Sequence, residues 1–147
     1  PGNPEVFWMF SEAVKGMADY CRAVSLPCVG GKVSFYNEDV ITRTAIKPSP
    51  IVSVVGLIED ATYVRRVTPR SEVDVVIVLG VTKAEMGGSE YYEYIHSLTG
   101  GVVPRVDFEV ERKIREIVLE AIRSGFVDSV NDCSEGGLAV SLGRRVM

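Results

Sequence analysis

Cysteine is scarce and unpatterned in this sequence. Cys21, Cys28 and Cys133 are an odd number with no CxxC pair, which argues against both a disulfide framework and a thiolate zinc site. His96 is the only histidine and has no recognisable Ser or Cys constellation around it, so a nucleophilic hydrolase finds no support. It reads as the end of a helix. No apolar run approaches the roughly 20 residues of a membrane span. Phe7-Trp8-Met9-Phe10 is too short, and too close behind an acidic residue, for a secretory leader. A basic excess is missing too: the net charge is -4, which argues against a large nucleic-acid surface. Only Arg65, Arg66 and Arg70 cluster, leaving room for a local anion pocket. There is no internal repeat, heptad array or low-complexity tract. These absences lead to the expectation of a soluble, cytoplasmic protein without nucleic-acid or membrane partners.

What remains is 147 residues of ordinary globular composition, 46% hydrophobic and 24% charged, enough for one domain or two small ones. The ends are unusual. The chain opens on Pro1-Gly2-Asn3-Pro4 and stops at Gly143-Arg144-Arg145-Val146-Met147 within a helical pattern, with no capping glycine. A piece of a longer chain would look like this.

The most informative stretch is Val29-Gly30-Gly31-Lys32-Val33-Ser34-Phe35-Tyr36-Asn37-Glu38. Glycines allow positive φ and a close backbone approach to a ligand. If the stretch is extended, Lys32, Ser34 and Tyr36 share one face and Val33 and Phe35 the other. Two readings fit: a strand that meets a polar ligand, or a Gly-containing strand that ends in a polar turn. A Walker loop does not fit, because Leu26 and Val33 stand where that motif needs glycine and Ser or Thr.

Around this stretch the pattern alternates helix and strand. Asn3 as N-cap, Pro4 in the first turn, and Phe10, Ala13, Val14, Met17, Cys21 and Val24 at helical spacing predict a helix to about Val24. Trp8 and Tyr20 read as core or as ligand-stacking residues, with the core favoured. Glu38-Asp39 signals a turn, and β-branched Val40 to Ile46 predicts a strand, broken by Pro48 and Pro50. Ile51 to Ile58 and Val73 to Gly80 read as buried strands. Gly87-Gly88-Ser89 opens a short helix and serves either as an anion site or as a plain turn and N-cap. Asp107 and Gly125 bracket another helix, whose apolar face is Val110, Ile114, Ile117, Val118, Ala121 and Ile122. Phe126 to Asn131 predicts a short strand leading into Asp132-Cys133-Ser134-Glu135-Gly136-Gly137 and a last helix. Asp132 there can hold a metal ion beside phosphates or act as a structural cap. The fold class expected is mixed α/β, with a polar join over 59–72 between two modules.

The stretch at 29–38 resembles the SGNVSLYNE segment of the phosphoribosylformylglycinamidine synthase family, in its synthetase subunit. Further blocks resemble that family in order: Gly2-Asn3-Pro4-Glu5, Pro48-Ser49-Pro50, Val55 to Asp60, Gly87 to Tyr91, and Asn131 to Leu138. The resemblance implies two partial modules of the aminoimidazole ribonucleotide synthetase-like fold. Residues 1–62 would be the later part of an A-type module and 63–147 the first part of a B-type module. Together they make about a fifth of a typical family chain.

It further implies an ATP- and Mg2+-dependent ligase of purine biosynthesis. Formylglycinamide ribonucleotide is activated by ATP as an iminophosphate, and ammonia derived from glutamine displaces the phosphate. The implied partners are a glutaminase subunit and a small bridging subunit. The histidines that serve the chemistry lie outside these residues, so the chain alone is expected to be inactive. By the same resemblance Gly31 and Lys32 meet ATP, Ser34 meets the ribonucleotide, and Asp132 falls at a magnesium position. Lys32 departs from the asparagine common in the family, and an ammonium group offers a metal no lone pair. Either it neutralises phosphate charge or other groups hold the metal. Glu135 stands where Asp is commoner. Two other readings are a non-catalytic assembly module, whose unpaired edges favour self-association, and another ATP-using relative: aminoimidazole ribonucleotide synthetase, thiamine monophosphate kinase or the hydrogenase maturation dehydratase. Val33 to Glu38 argues against those relatives.

Overall fold

The structure, a computed structural model, describes residues 2–146. The chain divides into two units, one ending at Gly56 and the other starting at Leu57.

The first unit is built on α1 (Pro4–Ala23). The Asn3 side chain accepts hydrogen bonds from Glu5 N at 2.9 Å and Val6 N at 3.4 Å, which supplies partners for two otherwise free first-turn donors. At the other end Leu26 N donates to Cys21 O and Ser25 N to Arg22 O, with Ser25 at φ 55. This is the left-handed closure that glycine more often supplies. Of the predicted stripe, Phe10, Ala13, Met17, Cys21 and Val24 are half-buried. Phe10 meets Phe35 with ring centroids 5.4 Å apart. Trp8, expected in the core, is 63% exposed, and Tyr20 is also exposed. Trp8 lies off the stripe that faces Phe35, and helical position outweighs residue type here.

The strand expected over 40–46 is instead mostly a turn. Glu38 and Ala45 form an isolated antiparallel bridge, and the Asp39 carboxylate accepts from Ile41 N at 2.9 Å and Thr42 N at 2.8 Å. An aspartate that captures the two following amides makes a local turn that β-branched composition cannot override.

In the second unit Asp60 caps a short 3₁₀ turn, Ala61–Tyr63. Three helices follow: α2 (Glu90–His96), α3 (Phe108–Arg123) and α4 (Gly137–Val146). Asp107 caps α3 through Glu109 N and Val110 N, both at 3.1 Å. The end of α3 is a complete Schellman closure: Phe126 N donates to Ala121 O, Gly125 N donates to Ile122 O, and Gly125 sits at φ 70. Segment 62–67 runs beside 127–131, with a parallel bridge Arg66–Ser129 and Val130 N donating to Arg66 O at 2.9 Å.

The runs 51–58 and 73–79 form no ladder among the described residues. Their side chains stand exposed, Ile51 and Leu57 at 96% and 91%. An apolar run favours extended backbone, but its partner is non-local and cannot be read from the run itself. Among the described residues Ser141 is the one that is buried, at 7% exposure.

Candidate functional site

Two groups of predicted site residues lie in different units. In the first, the Lys32 ammonium donates to Ser34 Oγ, so both side chains occupy one face, while Phe35 turns the opposite way onto Phe10. Gly30 and Gly31 are not in the left-handed region, and a Cβ at either would meet nothing within 4 Å. Nothing in the chain itself therefore requires glycine at these two places. Tyr36 ends the extended stretch at φ 63, a left-handed conformation that aromatic residues rarely adopt and that no local pattern signalled. Beyond it, Asn37 and Glu38 line a depression of about 290 Å³ with Asn3, Tyr36 and Arg43. Arg43 Nη1 donates to Glu38 Oε1 at 3.1 Å across it.

In the second unit Asp132 lies in a cavity of about 140 Å³ with Asn131, Ser134, Glu135, Ser141 and Arg144. The Ser134 hydroxyl donates to the Asp132 carboxylate and holds it below the usual carboxylate range. Asn131 Nδ2 donates to Ser141 Oγ at 3.0 Å and to Asp132 O at 2.8 Å, which anchors the loop to buried Ser141 on α4. Arg144 Nη2 donates to Glu135 Oε2 at 3.3 Å. Gly136, at φ 73, is required by its surroundings: a Cβ would stand 2.5 Å from Val140 Cγ2. The Asn131–Ser141 link was not foreseen. Its only sequence sign is a serine among the apolar residues of α4.

Gly87, Gly88 and Ser89 are not part of this cavity's lining. A Cβ on Gly87 would stand 2.0 Å from Val102 O, so the pair is packed backbone against backbone. Gly88 N donates to Gly100 O at 2.7 Å and Ser89 N to Met86 O at 3.3 Å, while Ser89 Oγ caps α2 through Tyr92 N. Those two backbone donors are thus already used. His96 closes α2 with its ring edge-on to Tyr91, centroids 5.3 Å apart.

Two of the three clustered arginines are already engaged. Arg65 spends its guanidinium on backbone carbonyls, and Arg70 pairs with Asp128 at 3.6 Å. Backbone acceptors leave no trace in a sequence, which is why the engagement of Arg65 was not foreseen.

Among the described residues no group of three or more His, Cys, Asp or Glu could hold a metal, and no helix is long and apolar enough to cross a membrane. Asp132 still fits Mg2+ as a single ionised carboxylate, because that ion commonly takes one or two carboxylates and completes its shell with phosphates and water. Lys32 does not fit a metal.

Comparison with known proteins adds the following. The chain is 47% identical over 98% of its length to the phosphoribosylformylglycinamidine synthase subunit PurL of Methanocaldococcus jannaschii, spanning 20% of that protein. It is 42% identical over 97% of its length to the protein of the same name from Symbiobacterium thermophilum, spanning 18% of it. With that from Alkaliphilus metalliredigens it shares 41% identity over 97% of its length, spanning 19%. The chain therefore spans about a fifth of the length of these relatives. No solved structure matches. The family model for the N-terminal domain of AIR synthase related proteins matches residues 1–58, and that for the C-terminal domain matches residues 72–146. With both domain models matched in order, this mixed α/β chain belongs to the AIR synthase related protein family.

Proposed function

We propose that this chain is part of an ATP-dependent carbon–nitrogen ligase that converts formylglycinamide ribonucleotide to formylglycinamidine ribonucleotide in purine biosynthesis. The observation that carries this reading is 41% to 47% identity over nearly the whole chain to synthase subunits of that name. Residues 1–62 are read as the later part of an A-type module and 63–147 as the first part of a B-type module. Partners would be a glutaminase subunit that releases ammonia and a small bridging subunit.

The residues support a division of labour. Gly31 offers a backbone with open space where a phosphate would approach. Lys32 supplies positive charge beside it. Because Ser34 Oγ accepts from Lys32, its own proton is left to donate to an oxygen of the ribonucleotide. Asp132, held ionised by Ser134, would give Mg2+ one oxygen. Bound Mg2+ would neutralise phosphate charge during transfer. For Gly87, Gly88 and Ser89 a phosphate role would have to use other groups than the two engaged amides.

The test is ADP formation by the complete polypeptide its source encodes around these residues. ADP release that requires both formylglycinamide ribonucleotide and ammonia supports the reading. ATP turnover indifferent to the ribonucleotide, or none at all, would remove it. The 147-residue chain alone is expected to turn over nothing.

A further inference from the structure

Arg65 is half-buried and uses every guanidinium nitrogen on main-chain carbonyls. Nε donates to Val127 O at 2.8 Å, Nη2 to Ile122 O at 2.5 Å, and Nη1 to Thr62 O at 2.6 Å and Val64 O at 3.2 Å. These acceptors belong to three places: the last turn of α3, the segment leaving it, and the turn that carries Arg65 itself. Ile122 O already accepts from Gly125 N in the α3 closure. The cation therefore sits at a helix C-terminus, where partial negative charge collects.

The held parts lead directly to the Asp132 cavity. Segment 127–131 ends at Asn131, next to Asp132, while two residues beyond Arg65 the other segment supplies Val67 to the same cavity. Between them the backbone is joined by the Val130 N to Arg66 O hydrogen bond. Both walls are therefore tied to one side chain as well.

We infer that Arg65 is a positioning residue, fixing the 127–132 segment, and with it the Asp132 carboxylate, relative to Val67 and α4. The importance of that carboxylate rests on the functional reading above, whereas the positioning itself does not. A lysine cannot reproduce the effect, because one compact ammonium lacks the planar fork that reaches Val127 O and Ile122 O together.

The test compares Arg65→Lys and Arg65→Gln in the complete polypeptide by amide hydrogen exchange. Exchange of the Val130 amide, which is hydrogen-bonded to Arg66 O, should quicken about tenfold or more in both variants, while the interior amides of α3, 112–119, stay as in the unsubstituted protein. Unchanged exchange at Val130, or a uniform rise across the whole second unit, would overturn the inference, since Arg65 would then add general stability or nothing. A second reading of the same samples uses Mn2+ and follows paramagnetic broadening of the Asp132–Ser134 amides. Weaker Mn2+ response in Arg65→Lys at equal folded fraction supports positioning of the carboxylate. If the unsubstituted protein shows no response, the metal reading of Asp132 fails, while the exchange result still decides the role of Arg65.

Discussion

Replacing Gly31 with alanine separates the demands of folding from those of binding. In the folded chain the new Cβ meets no atom within 4 Å, and the backbone is not left-handed, so no overlap or strain is introduced. The unfolded chain loses conformational freedom, and substitutions of this kind stabilise by about 0.4–1 kcal/mol. Folding alone therefore predicts a neutral or slightly more stable protein. Binding predicts the opposite sign. If the Gly31 backbone approaches an ATP phosphate, a Cβ holds the two apart and weakens a charge-assisted hydrogen bond of about 1.5–3 kcal/mol. That corresponds to an affinity loss of about 10- to 150-fold. Urea unfolding and calorimetric titration with magnesium and a non-hydrolysable ATP analogue, both on the complete polypeptide, read the two quantities separately. Unchanged affinity together with unchanged or raised stability would refute the reasoning, because Gly31 would then serve neither purpose.

Other positions carry their own expectations. Gly87→Ala should destabilise by about 3 kcal/mol or more, because three Val102 backbone atoms stand within 2.5 Å of the new Cβ and cannot rotate away. Gly88→Ala, at φ 70 but 3.5 Å from the Val103 side chain, should cost only about 1 kcal/mol. Equal costs in urea unfolding would contradict this packing. Asn3→Ala should remove about 1 kcal/mol of α1 stability, and Asn3→Asp should restore it. Circular dichroism that finds no difference between the two variants would count against the cap.

Asp39 is held below the usual carboxylate range, first by the Thr42 amide and then by the Ile41 amide. Its folded pKa is therefore lower than its unfolded one. The turn's contribution is complete above the unfolded value of about 3.9, and it is lost as pH falls through the lower folded value. Carboxyl chemical shifts that titrate at or above the unfolded value would disprove the turn.

Helix signals were legible because they are local. Asn3 and Asp107 cap the helices they were expected to cap, and Gly125 closes α3 where a C-terminal glycine was anticipated. Strand signals were less informative. The runs at 51–58 and 73–79 announce apolar extended backbone, but nothing in them specifies a partner, and no β-bridge involves them among the described residues. At 40–46 composition pointed to a strand, whereas one carboxylate and two neighbouring amides made a turn. Lys32 and Ser34 sharing a face follows from the period of extended backbone, and Phe35 packing on Phe10 is its complement. Arg65 was illegible for a different reason. Its partners are carbonyls, which every residue has, so no sequence pattern marks them.

Residues 29–38 are proposed as a wall of an ATP site. Photolabelling the complete polypeptide with azido-ATP and Mg2+, followed by peptide mapping, tests it most directly. Label is expected within Val29–Glu38, suppressed by excess ATP and reduced in Lys32→Ala. Competable labelling that falls entirely outside this stretch and is unaltered by Lys32→Ala would contradict it.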